Sequence, residues 1–291
     1  MNNRRREFAM SEKLESARRN LSDAETGGIA TEGFTVPDMG EYVLMPGNPR
    51  RISLMAAQWD EGTQKEYDLN RGYRAATGEY KGAHIAAMST GMGGPNLELP
   101  LTTMASVGVN TFIRVGTTGA IQPGINIGDI IINDSSVRLD GTSRQYIRDE
   151  YPSAASYEVT MALVQACENL GFTYHVGTGC TTASFYAGQS RPSFGGYKRS
   201  DCEDDYKDMQ SAGVLNYDME GAALFTMARL FGLRAGMCAS VIVQRVTGEA
   251  KEEGGEKRAC LVGAEAIRLL TEWDKKKKAA GKKYLSVDMM K

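Results

Sequence analysis

Apolar residues along this chain fall into short runs that alternate with helix-spaced segments. The runs at 41–47 (EYVLMPG), 84–91 (HIAAMSTG), 111–116 (TFIRVG), 129–134 (DIIIND), 175–180 (HVGTGC), 214–219 (VLNYDM) and 235–243 (AGMCASVIV) predict strands, several of them ending in glycine or a polar residue. Between them, RRISLMAAQW, LELPLTTMASV, YEVTMALVQACENL and AALFTMARLFG repeat apolar positions at helical spacing. They predict helices, the last closed by Gly232 as a C-cap. Such alternation argues for an α/β domain, in which ligands sit at the C-terminal ends of the strands. Residues 1 to about 28 are charged, with Phe8, Leu14 and Leu21 at helical spacing before TGG, and read either as a helical arm or as a solvated extension. We divide the chain into an N-terminal arm, 1–40, and a single domain, 41–291. GAEAIRLLTEW predicts a last helix, and the lysines of DKKKKAAGKK close it by answering the helix dipole and the solvent.

Charge and cysteine usage narrow the class. The 34 basic and 36 acidic residues leave a net charge of −2, which gives no general field to hold nucleic acid or an anionic membrane. An anion must therefore be held by a local cluster. Cys167, Cys180, Cys202, Cys238 and Cys260 are odd in number and lack CxxC spacing, so they suggest idle thiols in a reducing compartment, not a disulfide framework or a zinc site. No apolar run approaches the length that spans a bilayer, and RRR near the start is not followed by an apolar stretch. Glu7, Glu12 and Glu15 also argue against a transit peptide. The expected location is the cytoplasm.

Polar residues gather at the predicted strand ends. PGNPRR after the first strand and STGMGGPN after the second form glycine-rich bends whose backbone N–H groups can approach an anion. Neither is a Walker loop or a GxGxxG turn, and close backbone packing explains each as well. FIRVGTTGA is more telling, because Arg114 sits in an otherwise apolar strand and must face a ligand or a buried acid. Both readings stay open here. An arginine fork, the hydroxyls of Thr117 and Thr118 and glycine amides suit a phosphate or carboxylate. In NYDMEGA, Asp218 and Glu220 flank Met219, a pair that suits a metal, a two-carboxylate acid/base couple or a sugar diol.

MPGNPRR, STGMGGP, RVGTTGAIQPGINIGD, SSVRLDGTS, TASFYAGQSR, NYDMEGA and GMCASVIVQR, in this order and spacing, resemble the nucleoside phosphorylases. SVRLDG and FYAGQSR are most similar to the uridine phosphorylase branch. The resemblance runs from about residue 41 to 245 and implies a three-layer fold with a central mixed twisted sheet flanked by helices. It implies phosphorolysis of uridine, with deoxyuridine or thymidine as further candidates, a purine nucleoside as the alternative substrate, and a non-catalytic nucleoside binder as the alternative role. Inorganic phosphate is then a co-substrate and no cofactor is expected. By resemblance, Gly47, Arg51, Arg114 and Thr117 bind phosphate, joined by Arg71 acting in trans from a second copy. Phe185, Gln189 and Arg191 hold the base; Thr117, Met219 and Glu220 hold the ribose. Arg245 stands where a purine enzyme is expected to carry an acid, which favours a pyrimidine, and it is expected with the residues that hold the base, at the uracil oxygen. Arg114, Gln189, Arg191 and Glu220 carry the catalytic expectation, and the minimal unit is a homodimer.

The chemistry agrees with these residue types. Phosphorolysis passes through a ribosyl cation while the base leaves as an anion, so charge separates in the transition state. Arginines that cannot lose their proton hold the phosphate, and Gln189 with Arg191 answers charge on the uracil edge. The chain departs from the resemblance in three ways. His84 and His175, the two histidines, lie in predicted strands and read as structural, so the ribose 5′-hydroxyl lacks an assigned contact. Gly72 and Asn96 replace the glutamate and serine that hold an interface cation, so no metal is expected. Asp218 is one methylene shorter than the usual glutamate, and its contact is open.

Overall fold

A computed structural model describes residues 34, 36–251 and 255–290. The arm expected over residues 1–28 lies outside the described residues. The described strands join one ten-stranded mixed sheet with helices on both faces.

β1 (Tyr42–Pro46) lies inside that sheet, parallel to β4 (Ala83–Met88) on one side and to β5 (Thr111–Ala120) on the other. A central parallel strand is covered on both faces and must be apolar throughout, which is why it reads as a continuous run rather than an alternation. Tyr42 and Leu44 pack with Ile52, Trp59, Leu163, Ile267 and Trp273, which joins them to α1 (Arg51–Ala56), α4 (Tyr157–Leu170) and α7 (Gly255–Ala279). Val43 and Met45 pack in the opposite cluster with Leu101 of α2 (Gly94–Ser106) and Leu224 and Phe225 of α6 (Gly221–Phe231). Two cores, one on each sheet face, make the three layers.

The expected helix at 157–170 is found with those limits. Gly232 ends α6 with φ 73°, and the Leu233 N–H reaches the Ala228 carbonyl, as a left-handed C-cap requires. Several strands run longer than the sequence predicts. β5 continues to Ala120, and β6 (Ile130–Leu139) and β7 (Tyr174–Thr182) extend past the glycines, serines and threonines that read as stops. They continue because neighbours supply a ladder: β9 (Arg234–Gln244) runs parallel to β5 and antiparallel to β6, and β6 is parallel to β7. β8 (Asn216–Asp218) then pairs with both β7 and β5 and closes these five strands into a ring. β2 (Lys65–Asp68), β3 (Arg74–Tyr80) and β10 (Glu249–Ala250) were not expected from the sequence.

The five cysteines are buried and free. Burial pushes the Cys167, Cys180 and Cys260 thiols up to about 12, so they are held as thiols at neutral pH. The lysine run departs from the solvated reading at one position. Lys277 is buried and its Nζ lies 2.6 Å from Glu158 and 2.8 Å from Asp274, while Arg234 reaches both acids. This network fastens the end of α7 to α4 and β9. Among the described residues, no helix is long and apolar enough to cross a membrane.

Candidate active site

A cavity of about 860 Å³ opens at the C-terminal ends of β1, β5 and β9. Gly47, Arg51, Arg114, Thr117, Phe185, Gln189, Arg191, Met219 and Glu220 all line it, together with Ile242 and Val243. Residues spread over most of the domain therefore meet in one place.

β5 organises one end. Arg114 is buried on this strand, with Nη2 at 2.5 Å from Glu220 Oε2 and Nη1 donating to Thr90 Oγ1 at 3.3 Å. Its Nε lacks a partner among the described residues. The two readings of Arg114 thus coincide, since its buried acid partner is itself a wall of the cavity. Gly47 follows the end of β1 beside it. A Cβ there would stand 3.0 Å from the Gly91 carbonyl oxygen and 3.2 Å from Arg114 Nη2, so glycine lets the loop close onto the guanidinium. Arg51, buried in the first turn of α1, donates from Nη2 to Thr117 Oγ1 at 3.0 Å and from Nη1 to the Val115 carbonyl at 3.5 Å. Arg51, Arg114, Thr117 and Gly47 form one basic corner.

Glu220 stands at the turn between β8 and α6. Its backbone, φ −140° and ψ −22°, breaks the strand, and as a result Asp218, Met219 and Glu220 all line the cavity. Both Glu220 oxygens are engaged, since Oε1 accepts the Gly93 N–H at 2.6 Å while Oε2 meets Arg114. Asp218 Oδ2 accepts the Gly221 N–H at 2.8 Å, whereas Oδ1 is shut off from solvent without a partner among the described residues.

Burial, then the nearby Glu220 carboxylate, pushes the Asp218 carboxyl up to about 7. Below about pH 3.8 the folded and unfolded chains both carry this proton. As pH rises from there to about 7 the unfolded chain releases it first, so stability falls, and above pH 7 the cost is complete. Asp218→Asn should therefore gain stability over the parent at pH 8, by at most about 4 kcal/mol, and gain little at pH 4. Thermal melts of both proteins at the two pH values check this; a gain that is equal at both would remove the proton from Asp218.

The other end is built after β7. Phe185, Gln189 and Arg191 lie around the short turn Ala187–Gln189, with Gln189 buried and the Arg191 guanidinium 4.6 Å from the Phe185 ring centre. Arg245 departs from the expected arrangement. It does not line the cavity but lies behind it, with its guanidinium 4.7 Å from the Tyr206 ring centre and 5.4 Å from that of Tyr217. Gly119 separates the two arginines; a Cβ there would be 3.4 Å from Arg191 Nη2 and from Arg245 Cδ. Burial lowers the pKa of both guanidiniums, and for Arg191 the charge of Arg245 adds to it. Arg191 Nε and Arg245 Nη1 are buried without partners among the described residues. Paired cations of this kind favour an acceptor or a developing negative charge on the ligand.

Arg71 lies elsewhere. It has φ 58° and lines a second cavity of about 320 Å³ with Pro49, Tyr73, Ser89 and Asn96. The histidines are also outside the main cavity: His175 Nε2 lies 2.9 Å from Asp129 Oδ2, and His84 Nε2 lies 3.2 Å from Asp38 Oδ2. Sequence reasoning missed Glu256. It lines the cavity from the first turn of α7 and takes Arg51 Nη2 at 2.6 Å and Nε at 2.9 Å on the same oxygen. No local signal could have found it, because an acid in a first helical turn ordinarily answers the dipole.

A profile described as the Phosphorylase superfamily matches residues 41–271. The chain belongs to this superfamily. A protein named uridine phosphorylase from Thermococcus kodakarensis is 49% identical over 246 residues, which covers 84% of this chain and 88% of that relative. The protein of the same name from Escherichia coli strain K12 is 38% identical over 245 residues, or 82% of this chain and 96% of the relative. A protein named guanosine phosphorylase from Halorubrum lacusprofundi is 31% identical over 214 residues, or 74% of this chain and 83% of the relative. These relatives carry names for both a pyrimidine and a purine nucleoside.

Proposed function

We propose that the protein is a pentosyltransferase that catalyses reversible phosphorolysis of uridine to uracil and ribose 1-phosphate. The observation that carries this is one cavity lined by a basic corner, a buried acceptor carboxylate and an amide–guanidinium pair. Relatives named uridine phosphorylase over most of the chain support the same reaction.

Arg51, Arg114, Thr117 and the Gly47 loop hold the phosphate beside C1′ of the ribose. Glu220, fixed by Gly93 and Arg114, accepts from the ribose hydroxyls, and Met219 packs against the sugar. As the C1′–N1 bond breaks, positive charge grows on the ribose next to phosphate and negative charge grows on uracil. Gln189 and Arg191 meet the uracil edge, and Arg245 adds its charge from behind Gly119. Phosphate oxygen then bonds to C1′, and the uracil anion takes a proton to become the free base. Phosphate is the co-substrate and the protein acts without a further cofactor. Arg71 of a second copy completes the phosphate site, so the working unit is a homo-oligomer, at least a dimer, in the cytoplasm. Deoxyuridine and thymidine are secondary substrates.

Gln189→Ala tests the assignment of the base end. The variant should lose about 10- to 100-fold in kcat/KM for uridine, since unpaired polar edges are costly, with KM for phosphate changed far less. Steady-state kinetics with each substrate varied in turn decides; an equal loss for both ligands would take Gln189 out of base recognition. Preference for inosine over uridine in the parent protein would favour the purine reading instead.

A further inference from the structure

We propose that Glu256 is a built-in competitor of phosphate, whose carboxylate takes the Nε/Nη2 edge of Arg51 and is displaced from it when phosphate binds. This rests on the phosphate role of Arg51 given above. The guanidinium has five N–H groups in a fixed fork. Glu256 Oε1 takes one from Nη2 and the one on Nε, Thr117 takes the other on Nη2, and the Val115 carbonyl takes one on Nη1. A single Nη1 hydrogen is then left over among these contacts. A phosphate that is to be gripped by two parallel bonds needs the edge that Glu256 occupies.

The second acid of the basic corner cannot serve as the competitor. Glu220 is pinned at both oxygens and its side chain is 4% exposed. Glu256 rests on Arg51 through one oxygen, and its side chain is 37% exposed. Hydration therefore offsets much of what Glu256 loses on leaving, whereas Arg51, with 9% side-chain exposure, cannot be left without a counter-ion. Phosphate supplies that counter-ion. The exchange keeps a charge partner on Arg51 in both states and sets phosphate affinity by the difference between the two anions.

The test compares parent, Glu256→Gln and Glu256→Ala by inorganic phosphate titration in calorimetry and by steady-state kinetics with phosphate varied. Both variants should lower the phosphate Kd and KM about two- to fivefold, the range expected for a partly exposed ion pair that no longer competes. Melting temperatures without phosphate should drop in both variants, and saturating phosphate should raise them more than it raises the parent's. An unchanged or weakened phosphate affinity in folded variants would overturn the proposal and make Glu256 an orienting partner of Arg51. A parent protein that turns over uridine without phosphate would instead overturn the functional reading itself.

Discussion

Replacing Arg114 by alanine should lower kcat/KM for phosphorolysis at least about a thousandfold, the largest effect expected of any single substitution in the site. The reason is that Arg114 acts on two partners at once. It supplies charge to the basic corner, and it is the counter-ion that holds the Glu220 carboxylate in place inside a buried wall. Without it, the Glu220 carboxylate is stranded, at a cost of about 3–5 kcal/mol if the group stays charged. Arg114→Lys separates these effects. Lysine keeps the charge and loses the planar fork, so this variant should melt near the parent while still losing about 10- to 100-fold in kcat/KM. Near-normal turnover in a folded Arg114→Ala protein would remove phosphate from this corner.

The sequence resolved the parts of the molecule whose chemistry is local. β1 reads as a strand because burial on both faces demands an unbroken apolar run, and α4 reads as a helix because its apolar stripe sits within one segment. The β2–β3 hairpin was missed for the opposite reason. KEYD is largely exposed at the sheet edge, and RAATGEY buries two alanines and a glycine with Thr77 as its one β-branched residue, too weak a pattern to signal a strand. The extra lengths of β5, β6 and β7 were hidden because their glycines and threonines look like stops until partner strands are in place.

The site shows the same division. RVGTTGA and NYDMEGA carry their meaning within a few residues, and the cavity gathers Arg114, Thr117, Met219 and Glu220 as expected. Glu256 was illegible because its partner Arg51 is 205 residues away. Lys277 was misread for a similar reason, since a lysine run gives no sign that one member turns inward to Glu158. The pair at Asp218 and Glu220 has become two unlike groups. Glu220 is a fixed, ion-paired acceptor, while Asp218 has no ion-pair partner within reach among the described residues and its carboxyl is pushed up to about 7.

The second large effect is the requirement for phosphate in the unmodified protein. The basic corner has a purpose in catalysis if phosphate is the nucleophile, and water has no use for two buried arginines. The decisive measurement is product analysis of uridine turnover with and without inorganic phosphate, following uracil and ribose 1-phosphate together. The account predicts equal amounts of the two products in phosphate and a rate lower by at least about a thousandfold in its absence. Uracil released at the same rate in phosphate-free buffer, with free ribose as the other product, would contradict it.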